Sequence, residues 1–318
     1  MSNCKVVCFI FEVINIKKIL LFSLLIILIP YIIVNIFIKN DEITFNFSSN
    51  SIVRVYRQNL DRIDRVPIEE YVVGVVSGEM PASFSIEALK AQAVASRSYV
   101  MYQIKKNKNK DYDVVDTVNN QVYLDTDNQK EKWGNDYISN INKIKEAVLD
   151  TSSEYLEYNG EVVEAMFFST STGMTENSEE VFSSEVPYLR SVVSTWDEIS
   201  PAYTDSKKFT KEEFYKLLNL DYSEKLSINI TNTTSTGRVV DIVINDQKFT
   251  GREVCSKLKL KSTYFSIMEY DDSIVVNTKG FGHGVGMSQY GAQGMANNGY
   301  KYDEILKYYY SGVEIKKF

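Results

Sequence analysis

Residues 66–84 read VPIEEYVVGVVSGEMPASF. Within them Ile68, Tyr71, Val72, Val75 and Val76 recur at i, i+3, i+4, i+7 and i+8, the spacing of one face of an α-helix. Pro67 suits the first helical position, and Glu69 and Glu70 suit the positive end of the helix dipole. Pro81 drives Met80 into extended backbone, so the helix is predicted to stop at Glu79. Glu79 lies four residues after Val75 and continues the apolar stripe. A carboxyl group there faces the protein or a cleft, and both desolvation and the negative end of the dipole raise its pKa. A carboxyl held protonated near neutral pH is what a general acid needs. The plainer alternative is a helix-end glutamate turned to solvent.

Outward from this helix the chain alternates between periods. Ile52, Val53 and Val55 read as a strand before it. After Pro81, Ser85 is a plausible N-cap for an Ala-rich helix over 86–101, and residues 105–110 form a basic, Asn-rich turn. Arg97 falls on the apolar face of that second helix, four after Ala93 and eight after Leu89. A buried arginine needs partners, so it is either one half of a structural ion pair or a cleft residue that touches substrate or tunes Glu79. Residues 155–169 read as a β-hairpin around Asn159-Gly160. Strands are predicted at 228–230, 239–244 and 274–276, capping boxes at Thr210/Glu213 and Thr250/Glu253, and an aromatic helix over 302–310. The sum is an α+β fold: a single large mixed α/β domain over 51–318 with a central cleft.

The amino terminus follows different rules. No charged residue lies between Lys18 and Lys39, and residues 19–38 are rich in Leu, Ile, Val and Phe, about the length that spans a hydrocarbon core. Lys5, Lys17 and Lys18 precede the stretch; Asp41 and Glu42 follow it. The positive-inside rule predicts a cytoplasmic tail over 1–18, a transmembrane anchor over 19–38, a polar linker over 39–50 and an extracytoplasmic domain beyond. A cleaved signal peptide is the rival; the apolar stretch is long for one, and no small-x-small site follows it. Cys4 and Cys8 then lie inside, and Cys255 is the lone outside thiol, read as a small buried side chain without a disulfide partner. The 44% hydrophobic content supports a sizeable core, and a net charge of −7 with no basic patch argues against nucleic acid.

The one histidine, His283, sits in GFGHGVGMSQ, residues 280–289. Glycine at every second position forbids an ordinary helix and lets the backbone approach something closely. The run matches neither a dinucleotide nor a P-loop fingerprint, and one histidine excludes a histidine-built metal site. A Ser-His-Asp triad lacks its Gly-x-Ser-x-Gly elbow.

Taken together, residues 66–84, ALKAQAVASRSY over 88–99, FSTS over 168–171, TEN over 175–177, PYLRSV over 187–192 and GHGVGMSQYGA over 282–292 resemble the family of stage II sporulation protein D and the amidase enhancer LytB. The likeness runs from about Ser51 to the end of the chain, and the anchor also fits it. It implies a membrane-anchored lytic transglycosylase of the engulfment machinery, which cleaves the MurNAc–GlcNAc bond of peptidoglycan glycan strands and leaves 1,6-anhydro ends. The family's catalytic glutamate matches Glu79. Three further cleft positions of the family match Arg97, Tyr188 and Arg190; at Arg190 the family often has lysine, which keeps the charge and changes the geometry. His283, Ser288 and Gln289, in the glycine run that carries part of the resemblance, are expected to bind substrate beside them. The implied partners are a membrane-anchored sporulation amidase and a further membrane protein of the engulfment complex, on the mother-cell side facing the septal wall. The family also offers a non-catalytic alternative, a peptidoglycan-binding activator of a partner amidase; a pure scaffold has no need of the Glu79 carboxyl. Some members hold zinc on a Cys/His cluster, but the matching run here, DVVDTVNNQVY over 113–123, has neither residue, so no metal and no cofactor are expected. The topology has a direct check: protease added to intact protoplasts should remove the large domain and leave a small anchored stub, whereas a mature secreted form beginning near Asp41 would contradict it.

Overall fold

The computed structural model describes residues 22–30, 41–44 and 51–318. The chain divides into two units at residues 44/45. In the first, residues 22–30 are helical with exposed side chains. Most of the expected anchor lies outside the described residues, and among those described no helix is long and apolar enough to cross a membrane.

The second unit is a mixed α/β structure with several small sheets. It opens with β1 (Ile52–Arg57) and β2 (Arg62–Pro67), antiparallel from Ile52 opposite Pro67 to Arg57 opposite Arg62. Helix α1 (Ile68–Glu79) follows at once, so Pro67 is the N-cap, one place earlier than the sequence suggested. Its φ of −53° with ψ of 139° serves both the strand end and the turn into the helix. Met80 is extended, as Pro81 requires.

Helix α1 is buried nearly all round, not along one stripe. Ile68, Tyr71 and Val75 pack with Val53, Val55, Tyr99 and Tyr123. Val72, Val73 and Val76 pack on the opposite side into the largest core. That core includes the alanines of α2 (Ile86–Lys106), whose small side chains admit close neighbours. The second helix runs five residues past the expected end, because Lys105 and Lys106 suit the negative end of its dipole. After β3 (Val114–Val115), parallel to β1, come α3 (Thr126–Trp133) and α4 (Tyr137–Asp150). Neither was marked in the sequence. Helix α4 buries Ile141, Ile144, Ala147 and Val148 against α1 and α2.

Asn159 and Gly160 both have positive φ and turn β4 (Glu154–Tyr158) into β5 (Glu161–Val162). The hairpin ends there; β6 (Phe167–Phe168) instead pairs in parallel with a distant strand at Met287–Ser288. After the short α5 (Ser178–Phe182), a second core gathers β7 (Thr204–Thr210), α6 (Lys211–Leu218), β8 (Ile228–Thr233), β9 (Val239–Ile244), β10 (Gln247–Thr250), α7 (Gly251–Lys257), β11 (Phe265–Glu269) and β12 (Ser273–Lys279). Both capping boxes form, Thr210 with Glu213 and Thr250 with Glu253. The chain then returns to the first core through β13 (Met287–Ser288), α8 (Gln289–Asn297) and α9 (Tyr302–Tyr309), and β14 (Glu314–Lys317) closes on β4.

Arg97 is fully buried and bonds Glu69 through Nε at 3.0 Å and Nη2 at 2.5 Å, with Nη1 on the Glu154 carbonyl at 3.0 Å. Glu69 also accepts the Ser153 N–H at 3.0 Å. The pair joins α1, α2 and the start of β4. Removing one partner strands the other charge in the core, so Glu69→Gln should cost about 3–5 kcal/mol in a denaturant titration. The double change Glu69→Gln/Arg97→Met should recover most of that loss.

Candidate active site at the end of helix α1

The geometry around Glu79 begins with two glycines. A Cβ at Gly74 would stand 2.3 Å from the Tyr123 ring, and one at Gly78 would stand 2.3 Å from the Val122 carbonyl oxygen. Four residues apart, they give α1 a bare groove in which residues 122–124 lie. The segment is fastened by Leu124 N–H to the Gly74 carbonyl at 3.2 Å and by Tyr71 Oη to Gln121 Oε1 at 3.0 Å. Tyr71 and Tyr123 stack with centroids 5.3 Å apart.

This close approach delivers the Val122 N–H to Glu79 Oε1 at 2.7 Å. The Glu79 carboxyl also bonds the Gln289 side chain. Burial pushes its pKa above the usual carboxyl range; the Val122 N–H, the Gln289 amide and the Lys132 charge pull in the opposite direction without cancelling the rise. Lys132, on α3, sets its ammonium on the Ser77 carbonyl at 2.7 Å, and burial lowers its own pKa against the opposing pull of Glu79. Gln289 is reached from two sides: its amide approaches Gln92 Oε1 at 3.4 Å, and Gln92 in turn donates to Ser96 Oγ at 2.9 Å. A groove of about 540 Å³ adjoins the site, lined in part by Arg57, Asp116, Val122, Tyr123, Asp125 and Lys132. The site is therefore a half-buried acid with one backbone donor, one amide and one nearby cation.

Of the residues singled out in the sequence, Gln289 alone touches Glu79. Ser288 caps α8 and turns its hydroxyl to the buried Asp197. Arg97 does not reach the site: it sits on Glu69, ten residues earlier in α1 and roughly 15 Å along the helix axis. Tyr188 accepts the Glu164 N–H at 3.0 Å, and burial lifts its phenol to about 12. Arg190 forks onto Glu179 at 3.0 and 2.5 Å, which draws that carboxyl down to about 2. His283 is half-buried against Phe168 and Phe182; its Nδ1 accepts the Val285 N–H at 3.1 Å, and burial together with the Arg238 charge holds it down to about 4. It is neutral at physiological pH. Among the described residues no hydrogen bond or ion pair joins Tyr188, Arg190 or His283 to Glu79. No group of three or more His, Cys, Asp or Glu among the described residues could hold a metal ion. Lys132 and Val122 escaped the sequence reading; the pair Gly74/Gly78 in a valine-rich helix was the available signal.

An acid at a helix end, under a crossing loop in a mixed α/β body, has the burial and the raised pKa that a general acid would need. A family model for stage II sporulation protein matches residues 56–158, which carry α1, α2, the crossing loop and Glu79. The chain is 43% identical over 270 residues to stage II sporulation protein D of Bacillus subtilis (strain 168), covering 83% of this chain and 79% of that protein. It is 43% identical over 270 residues to the protein of the same name from Bacillus amyloliquefaciens, covering 83% and 78%. A third relative, the amidase enhancer of Bacillus subtilis, is 31% identical over 300 residues, 77% of this chain and 40% of that protein. The chain belongs to the stage II sporulation protein D family.

The crossing loop makes a sharp test. Gly78→Ala drives a methyl into the Val122 carbonyl, so the loop must lift, at a cost of about 1–3 kcal/mol. Losing the Val122 donor should move the Glu79 pKa further up, read by NMR titration of the carboxyl. An unchanged titration would show that the loop does not set the acid.

Proposed function

We propose that this protein is a membrane-anchored lytic transglycosylase acting on peptidoglycan glycan strands during engulfment in sporulation. The observation that supports the reading best is the half-buried Glu79 carboxyl, raised in pKa and held between the Val122 N–H and Gln289. Protonated Glu79 gives its proton to the glycosidic oxygen as the bond from the MurNAc anomeric carbon breaks. The departing strand leaves with a free GlcNAc hydroxyl. The carboxylate then takes the proton of the MurNAc 6-hydroxyl as that oxygen attacks the anomeric carbon, closing the 1,6-anhydro ring. Water is not consumed and Glu79 ends protonated, so one carboxyl serves where hydrolases use two. Lys132 and the two hydrogen-bond donors favour the carboxylate that appears midway, while burial favours the acid that starts the cycle. The adjoining groove, lined in part by Asn59, Thr117, Asn128, Glu131 and Lys132, offers the polar surface that a sugar chain needs.

In this reading the anchor holds the enzyme at the cell membrane with its amino terminus inside. An amidase that strips stem peptides and a further membrane protein would share its site of action. The amidase enhancer among its relatives favours a second role, stimulation of such an amidase.

Glu79→Gln keeps the side chain's size and removes the proton. Digests of purified glycan strands should lose their anhydro-muropeptides by about 10²–10⁴-fold. Glu79→Asp, shorter by one methylene, should be crippled for want of reach. With the wild type, cleavage should fall as pH rises through the raised Glu79 pKa, because the acid form is then lost. Stability follows the same sign. The folded carboxyl holds its proton to higher pH than the unfolded one, so stability falls across that window, and Glu79→Gln should be neutral or stabilising above it. A Gln variant that still releases anhydro ends at the wild-type rate would overturn the mechanism; a wild type that makes none yet stimulates an amidase would favour the second role.

A further inference from the structure

Glu79 owes its backbone donor to a loop that belongs to no sheet. The chain pairs with β1 only at Val114 and Val115, and residues 116–123 then leave the strand. At the tip Asn119 is exposed and Val118 is 85% exposed. The Tyr123 N–H closes the loop on the Asp116 carbonyl at 3.3 Å, and the Asn120 N–H makes a turn on the Thr117 carbonyl at 3.0 Å. Both bonds are internal to the loop, so neither fixes where it lies over α1. The Asn120 side chain reaches outside it. Its Oδ1 accepts the Val115 N–H at 2.9 Å, which ties the tip back to the strand. Its Nδ2 donates to Tyr99 Oη at 2.9 Å, which ties the tip to α2. Tyr99 is 7% exposed and packs with Tyr71, Val75 and Tyr123, so its hydroxyl is a fixed post. Two residues beyond Asn120, Val122 gives its N–H to Glu79 Oε1 at 2.7 Å. Hydrogen bonds weaken steeply as their angle falls away, so slack in the loop is felt at the acid.

We propose that Asn120 and Tyr99 are positioning residues for Glu79: the Asn120 side chain, hung between Val115 and Tyr99, holds the crossing loop at the height where Val122 meets the carboxyl. Among the described residues neither bonds Glu79, and neither lines the adjoining groove. Two other fastenings, Gln121 on Tyr71 and Leu124 on Gly74, keep the loop over α1. Loss of the Asn120 tether therefore slackens the donor while the carboxyl stays covered. With burial kept and a donor to the carboxylate weakened, the Glu79 pKa moves further up. The chemical step that these residues serve rests on the function proposed above; their hold on the loop does not.

The test uses the full chain carrying ¹³C in its glutamate carboxyls, with the Glu79 signal identified by its absence from Glu79→Gln. Tyr99→Phe deletes one hydroxyl and keeps the ring in its packing; Asn120→Ala deletes both tethers. Each should move the Glu79 titration up, Asn120→Ala further. The two changes together should move it no further than Asn120→Ala alone, because Tyr99 acts through Asn120. On purified glycan strands Asn120→Ala should lower kcat about tenfold with KM unchanged, and the alkaline limb of its pH profile should move up with the titration. Ser98→Ala is the control for lost stability: on the same helix it removes the acceptor of the Leu156 N–H, at 2.8 Å. It should lower the melting temperature and leave the Glu79 titration in place. An unmoved or lowered titration in Asn120→Ala, a further rise on adding Tyr99→Phe, or a shift in Ser98→Ala as large as that in Tyr99→Phe would each overturn the proposal. A wild type that makes no anhydro ends would defeat the transglycosylase reading, and the titrations would still decide the roles of Asn120 and Tyr99.

Discussion

A single buried carboxylate, Asp197, organises the far side of the molecule. It accepts the Ser171 N–H at 2.7 Å and the hydroxyls of Ser171 at 2.8 Å, Ser194 at 2.5 Å and Ser288. Tyr309 of α9 completes the set through Ser194 at 2.7 Å. Asp197 with its neighbour Ser194 therefore draws three distant segments, at Ser171, Ser288 and Tyr309, into one network. The crowding leaves no room for a side chain at Gly291, where a Cβ would stand 2.0 Å from the Tyr309 hydroxyl and 2.8 Å from Asp197 Oδ2. Burial raises the Asp197 pKa while its four donors pull it back, so the network offsets much of its own desolvation. Its consequence reaches the site: Ser288 held here is the cap of α8, and the next residue, Gln289, meets Glu79.

Two buried ion pairs play comparable roles. Glu69–Arg97 locks α1 to α2 and β4, and Glu176–Arg238 ties the segment before α5 to β9 and the glycine run. Neither is a large net source of stability, since desolving two charges costs about what their attraction returns. Their value is in register, because a slipped helix would leave a charge buried alone. The second pair also differs from the first. Glu69 and Arg97 satisfy each other with backbone help, whereas Arg238 Nη2 and Glu176 Oε2 both lack a hydrogen-bond partner.

In the proposed mechanism Glu79 serves first as an acid and then as a carboxylate. Desolvation alone would hold its proton too firmly for the second stage, and a full salt bridge would strip it before the first. Lys132 instead spends its ammonium on the Ser77 carbonyl, and Glu79 receives a backbone N–H and an amide. Those donors are fixed by packing, so they need no rearrangement as the charge appears.

Much of the local architecture was legible in the sequence, because short-range physics decides it. The valine spacing gave α1, Pro81 gave its end, Asn159-Gly160 gave the β4–β5 turn, and the Thr/Glu pairs gave both capping boxes. Helical periodicity placed Glu79 on an inward-facing stripe, and it ends α1 half-buried. What lay beyond reach was every relation between distant segments. Periodicity showed Arg97 on a buried face but could not say that Glu69, on another helix, would claim it. The run at 113–123 carried no sign that it would lie along Gly74 and Gly78 and hand Glu79 a backbone donor. Helices α3 and α4 went unmarked because α3 is polar, and the apolar face of α4 shows its purpose only against α1 and α2. The sequence by itself determined many of the local elements and the place of Glu79 at a helix end. The tertiary structure alone decided which residues reach that acid, because hydrogen bonds and burial depend on separations in space that spacing along the chain does not record.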